Sequence, residues 1–187
     1  MPRAATSITL LLAALVAAAP GARADEVTIC YNYGCHAQAQ VAFAEPQLDA
    51  LRSLFAGVED PAAERAAISV AIGRMYAIAG EQSPVWRDKG GNYADGGENG
   101  RMDCIDHSTN TDAFLRLLQA HAWLRFHEVL APLKRMRFLV FEHWGARIVE
   151  RGTQQIYVVD SWYFDNGHAA AVFAIEEWLA GKLPDGA

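Results

Sequence analysis

The hydrophobic period of this chain changes once, and the change limits the folds available to it. Apolar residues first recur at helical spacing. Leu48, Leu51, Leu54 and Phe55 share one face, and Ile68, Ala71, Ile72, Met75, Ile78 and Ala79 another. Later, RFLVFEHWGARIVE (137–150) and TQQIYVVDSWYF (153–164) read as strands about a turn near Arg151-Gly152. Helices first and antiparallel strands later predict an α+β domain.

The boundaries of the helices are written locally. Glu45-Pro46 opens the first, which ends by Gly57. Asp60-Pro61 supplies an N-cap and a first-turn proline for the second, expected to stop at Gly80. A further helix begins somewhere in Asp103–Asp112 and carries Phe114, Leu115, Leu118 and Trp123, and Pro132 ends the segment after it. VFAIEEWLAG (172–181) reads as a last helix closed by Gly181. Before all of these, VTICYNYGCHAQAQVAF alternates on either side of Asn32 and Gly34, the pattern of a hairpin.

The first residues set the redox setting. Met1–Ala24 has a basic start, a 12-residue apolar run from Ile8 to Ala19, a Pro-Gly break and Ala22-Arg23-Ala24, the layout of a secretory signal peptide. The run is shorter than the roughly 17–25 residues of a membrane-spanning helix. Cleavage after Ala24 would leave 163 of the 187 residues, one domain from 25 to 187, with hairpin and helices over 25–83 and a catalytic core over 84–187. The expected location is periplasmic or secreted, without membrane insertion after cleavage. Losing Arg3 and Arg23 takes 16 basic residues to 14 against 22 acids, a formal charge of −8. That balance argues against nucleic acid as a partner.

In an oxidising compartment the three cysteines separate. Cys30 and Cys35, across the hairpin turn, are expected to bridge. Their C-x4-C spacing is not the C-x-x-C of a thiol-redox protein. Cys104 is then unpaired, in RMDCIDHSTNT at a helix start, where unsatisfied N–H groups favour an anion. Asp103 and Asp106 oppose that, so a cationic partner is expected, and a histidine oriented by a carboxylate is the usual one. Of six histidines, His36 and His168 fall in turns, His121 and His127 late in the Cys104 helix or beyond it. His107 reads as a local helix residue that nothing orients. His143 lies in a strand, and the next strand delivers Asp160. Adjacent antiparallel strands can set these two side by side, with a helix presenting Cys104 to both.

Pro84–Gly100 holds five glycines among acids and aromatics. A loop of this length is often functional, and Tyr93 and Trp86 are expected to form a substrate wall. Asp88, Asn92, Asp95 and Glu98 are candidate calcium ligands, although their order does not follow an EF-hand. No other cofactor is implied.

Asp103-Cys104-Ile105-Asp106, His143-Trp144 and Tyr157-Val158-Val159-Asp160-Ser161-Trp162 together resemble the ordered motifs of the bacterial transglutaminase-like cysteine peptidases, a branch of the papain-like cysteine enzymes. The resemblance runs from about Gly100 to Trp162. It departs from the family in having Arg101-Met102 ahead of Asp103, and in having Ile105 where calcium-binding relatives carry an acid. It implies a papain-like core, a nucleophile helix packed on an antiparallel sheet, with Cys104, His143 and Asp160 as catalytic triad. It also implies amide chemistry through a thioester on a protein or peptide substrate, ending in hydrolysis or in transfer to an amine. A non-catalytic periplasmic binding or scaffold module on the same fold is the alternative.

Overall fold

The computed structural model describes residues 24–137 and 140–185. The signal-peptide expectation therefore falls outside the described residues apart from Ala24, as do Phe138 and Leu139. Strands β1 (Ala24–Tyr31) and β2 (Ala37–Ala44) pair antiparallel as the expected hairpin. Helices α1 (Glu45–Phe55) and α2 (Pro61–Gln82) follow. A 3-10 turn at Pro84–Arg87 opens the glycine-rich loop, which leads to α3 (Cys104–Ala120). Strands β3 (His127–Arg137), β4 (Phe141–Glu150), β5 (Ile156–Asp160) and β6 (Ala171–Ala174) form an antiparallel sheet in that order, and α4 (Ile175–Ala180) ends the fold. This is an α+β architecture.

Asp60 caps α2 by accepting from the Ala63 N–H at 2.7 Å. Such a cap stabilises by about 1 kcal/mol. The apolar residues that α2 buries outweigh it, at about 1.5–3 kcal/mol for each large side chain. The helix continues past Gly80 to Gln82. A Cβ at Gly80 would lie 2.7 Å from the Asn166 amide and 3.1 Å from Trp86 Cβ, so this glycine permits close packing and does not terminate the helix.

Two other expectations change. Residues 127–137 form an edge strand despite Pro132, because the register slips between Leu130 and Leu133 and a proline is tolerated at such an irregularity. Val172-Phe173-Ala174 belong to β6, and only the following residues are helical.

The sheet separates two apolar clusters by alternation. Ala146, Ile148 and Val159 face the main core with β1, β2, α1, α2 and α3. Val158 faces a smaller cluster of Trp162, Tyr163, Phe173 and Trp178, against which Cys104 also packs. Gly145 lies on that second side, where a Cβ would crowd Val158 and Trp178. Helix α3 packs on β3 and β4 and against β1. A fully buried carboxylate, Glu64, accepts from the backbone N–H groups of Arg125, Phe126 and His127 and from His127 Nδ1, tying the α3–β3 connection to α2. Among the described residues no helix is long and apolar enough to cross a membrane.

Candidate active site

Alternation along β4 puts His143 on the side of the small cluster, together with Gly145, and Asp160 ends β5 on the same side as Val158. There the His143 Nε2 and Asp160 Oδ2 lie 2.7 Å apart, both groups buried. Asp160 is itself held. Trp178 Nε1 donates to its Oδ2 at 2.8 Å, and the Trp162 N–H to its Oδ1 at 3.2 Å. The imidazole is walled by Trp162 at 4.9 Å and by Tyr163 and Trp178 at 5.7 Å, centroid to centroid.

Cys104, half-buried at the first turn of α3, lies close enough to the same imidazole to interact with it electrostatically. Burial alone would favour the neutral ring. The hydrogen bond to Asp160 and the interactions with Asp160 and Cys104 outweigh it and push the His143 pKa up to about 9. The structure thus pairs His143 with Asp160 and sets Cys104 within electrostatic reach of the ring, and Cys30 and Cys35 are bridged.

Asp103 and Asp106, whose charges were expected to oppose a thiolate at Cys104, are bound by backbone N–H groups. Asp103 caps α3 through the N–H groups of Ile105 and Asp106 and also accepts from the Gly34 N–H at 3.0 Å. Asp106 accepts from the Cys35 N–H at 2.6 Å. The tip of the β1–β2 hairpin, with Asn32, Tyr33, Gly34 and Cys35 all at positive φ, is thereby clasped to the start of the nucleophile helix. Burial and the neighbouring Asp103 charge push the Asp106 carboxyl up to about 6. Among the described residues, Cys30, Cys35 and Asp106 form the one grouping with metal-ligand proximity, and there the two sulfurs are bonded to each other.

His107 is not the unoriented residue its position suggested. Its ring is buried between Ser161 Oγ at 2.8 Å from Nδ1 and Asp88 Oδ2 at 2.9 Å from Nε2. Asp88 also accepts from the Met102 N–H at 2.7 Å, and Ser161 meets Thr111 and the Tyr76 hydroxyl. This buried chain fixes the start of the glycine-rich loop, the residue after Asp160 and the first turns of α3 relative to one another. It was missed because its members are far apart in sequence.

The loop contributes Tyr93, whose ring lies 4.9 Å from Trp162. Burial and the nearby Cys104 charge raise its pKa. Trp86 points elsewhere, under the Arg87 guanidinium, and lines no part of the cavity beside His143. The loop acids are engaged by protein donors and not gathered around a shared centre. Asp88 binds His107, Asp95 binds the Tyr33 hydroxyl and Arg101, and Glu98 binds Arg101.

Arg135, unremarked in the sequence, sits on β3 directly across from His143. Its guanidinium stacks over Trp178, donates to the Trp178 carbonyl and reaches the Tyr163 hydroxyl at 2.9 Å. The run Lys134-Arg135-Met136-Arg137 was its only signal. Compared with known proteins, the chain matches no family model, no curated protein and no solved structure.

Proposed function

We propose that this protein is a cysteine hydrolase or transamidase acting on amide bonds, most simply a peptidase of the transglutaminase-like, papain-like type. The observation that carries the reading is the position of His143, between a buried, doubly anchored Asp160 and Cys104 at a helix start. A structural histidine does not require both a buried carboxylate on its ring and a half-buried free thiol close by.

In the proposed cycle Cys104 and His143 react as a thiolate–imidazolium pair, and the sulfur attacks the amide carbonyl carbon. Asp160 stabilises the imidazolium and fixes the tautomer through Nε2. Asp103 spends its cap on Ile105 and Asp106, so the Cys104 N–H is a candidate donor to the developing oxyanion. Collapse breaks the C–N bond as the imidazolium protonates the leaving amine, leaving a thioester on Cys104. Water attacks it, losing a proton to His143, and releases the acid and the thiol. An amine in place of water gives transamidation. The disulfide supports an oxidising location.

The test is capture of the intermediate. Incubation with a mixed peptide pool, acid quench and intact-mass measurement should show an acyl adduct at Cys104 that hydroxylamine removes. The adduct should be lost in Cys104→Ala and should accumulate in His143→Ala only far more slowly. A wild-type protein that never carries an adduct and releases no product would point to the binding-module alternative.

A further inference from the structure

Four consecutive residues at the tip of the β1–β2 hairpin, Asn32 to Cys35, take left-handed backbone angles, with φ between 60° and 66°. Gly34 adopts these freely and Asn32 readily, but Tyr33 and Cys35 must be held there. The Cys30–Cys35 disulfide closes the tip on itself. The chain leading to the nucleophile holds it from outside. The Asn32 N–H donates to the Arg101 carbonyl at 2.7 Å, and its Oδ1 accepts from the Gly100 N–H at 2.8 Å. The Tyr33 hydroxyl binds Asp95 at 2.6 Å, and the N–H groups of Gly34 and Cys35 bind Asp103 and Asp106. Every residue of the tip thus touches the segment 95–106, which contains Cys104. An Asp106 carboxylate oxygen also lies within 4.8 Å of both bridged sulfurs, so a change at the bridge is felt at that carboxylate. On its other side the segment is fixed independently, because Asp88 accepts from the Met102 N–H and from the His107 ring. Of the two cysteines, Cys30 is buried and Cys35 half-buried, so a thiol arriving from solvent meets Cys35.

We propose that the Cys30–Cys35 disulfide is a redox switch for Cys104: the bridged tip sets the start of α3 for reaction, and reduction by a dithiol releases the tip and slows the nucleophile. The proposal rests on the Cys104–His143–Asp160 reading. One thiolate of the dithiol attacks the Cys35 sulfur, forming a mixed disulfide and expelling Cys30. The second thiol then displaces Cys35 and closes the dithiol to its own disulfide. The bridge gains two electrons, and the two protons of the dithiol end on Cys30 and Cys35. Without the bridge Tyr33 and Cys35 relax toward negative φ, and the N–H groups of Gly34 and Cys35 leave Asp103 and Asp106. Asp103 precedes Cys104 and caps its helix, so this loss shifts the sulfur relative to His143. A misplacement of about 1 Å can slow a reaction about a hundredfold. With Asp88 still holding Met102 and His107, the loss is partial and reversible, about tenfold.

The test compares the oxidised protein with protein reduced by dithiothreitol and desalted without oxygen. Each is treated with iodoacetamide at pH 6, and peptide mapping follows alkylation of Cys104 separately from that of Cys30 and Cys35. Hydrogen exchange is measured alongside. Reduction should slow Cys104 about tenfold and speed exchange over 32–36 and 99–106 while α2 stays protected. Reoxidation should restore both. Cys30→Ala with Cys35→Ala should show the slow rate with or without reductant. A Cys104 that is fast when oxidised and equally fast when reduced overturns the switch and leaves the catalytic reading standing. Loss of α2 protection on reduction also overturns the switch, since the bridge would then be a staple of the whole fold. An oxidised Cys104 no faster than glutathione overturns the catalytic reading, and the switch with it.

Discussion

Replacing Asp160 with asparagine probes the electrostatics of the site most sharply. The carboxylate supplies the strongest interaction holding His143 up at about 9, against a burial effect that pushes the ring the other way. Asparagine keeps the volume and an acceptor but removes the charge. His143 should then titrate at or below its ordinary 6.5, a change worth about 3 kcal/mol. At pH 7.5 the protonated fraction would fall from about 97% to about 10%. That is a roughly tenfold loss from ionisation, and the misoriented tautomer adds to it, for a total of about 10²- to 10⁴-fold in turnover. The sign carries over to stability. His143 is raised in the fold, so its contribution is complete below about 6.5 and is lost as pH rises through about 9. Unfolding free energy of the wild type should drop by about 3 kcal/mol over that interval, and Asp160→Asn should show little of this dependence. Imidazole NMR titration, with urea unfolding at pH 6.5 and 9.5, measures both. A His143 that still titrates near 9 in Asp160→Asn would show that the carboxylate charge is not what holds the ring protonated.

Other perturbations have equally direct readouts. Cys30→Ala with Cys35→Ala opens a loop of sequence separation 5, which should lower stability by about 2 kcal/mol in thermal melts and loosen the hairpin tip from Asp103 and Asp106. His107→Ala leaves Asp88 and Ser161 buried without their partner, and urea unfolding should show a loss of about 3 kcal/mol. Gly90→Ala would drive a Cβ into the Tyr163 carbonyl and Phe164 Cα, displacing the Tyr93 loop. Amide turnover should fall at least severalfold, with a smaller change in melting temperature.

Much of this arrangement is readable in sequence because its signals are local. Asp60-Pro61 and Asp103 mark helix starts, Asn32 and Gly34 mark the hairpin turn, and alternation places His143 and Asp160 on neighbouring strands. The features that escape depend on register or on distant partners. Pro132 disguises β3 as a strand breaker, which hides Arg135 and Arg137 from the face they share with His143. Glu64 and the Asp88–His107–Ser161 chain join residues that no short-range pattern connects. Trp178, which fixes Asp160, reads in sequence as one more apolar residue of the last helix. The acids beside Cys104 are bound by backbone N–H groups, which carry no side-chain signature.

The proposed chemistry depends on Cys104 being a nucleophile activated by His143. The pH dependence of its alkylation by iodoacetamide tests this without knowledge of the substrate. Cys104 should react at pH 6 at least tens of times faster than a free thiol such as glutathione, and His143→Ala should bring the rate down to that of the free thiol. A wild-type rate at pH 6 equal to that of glutathione, or one unchanged in His143→Ala, would contradict this assignment.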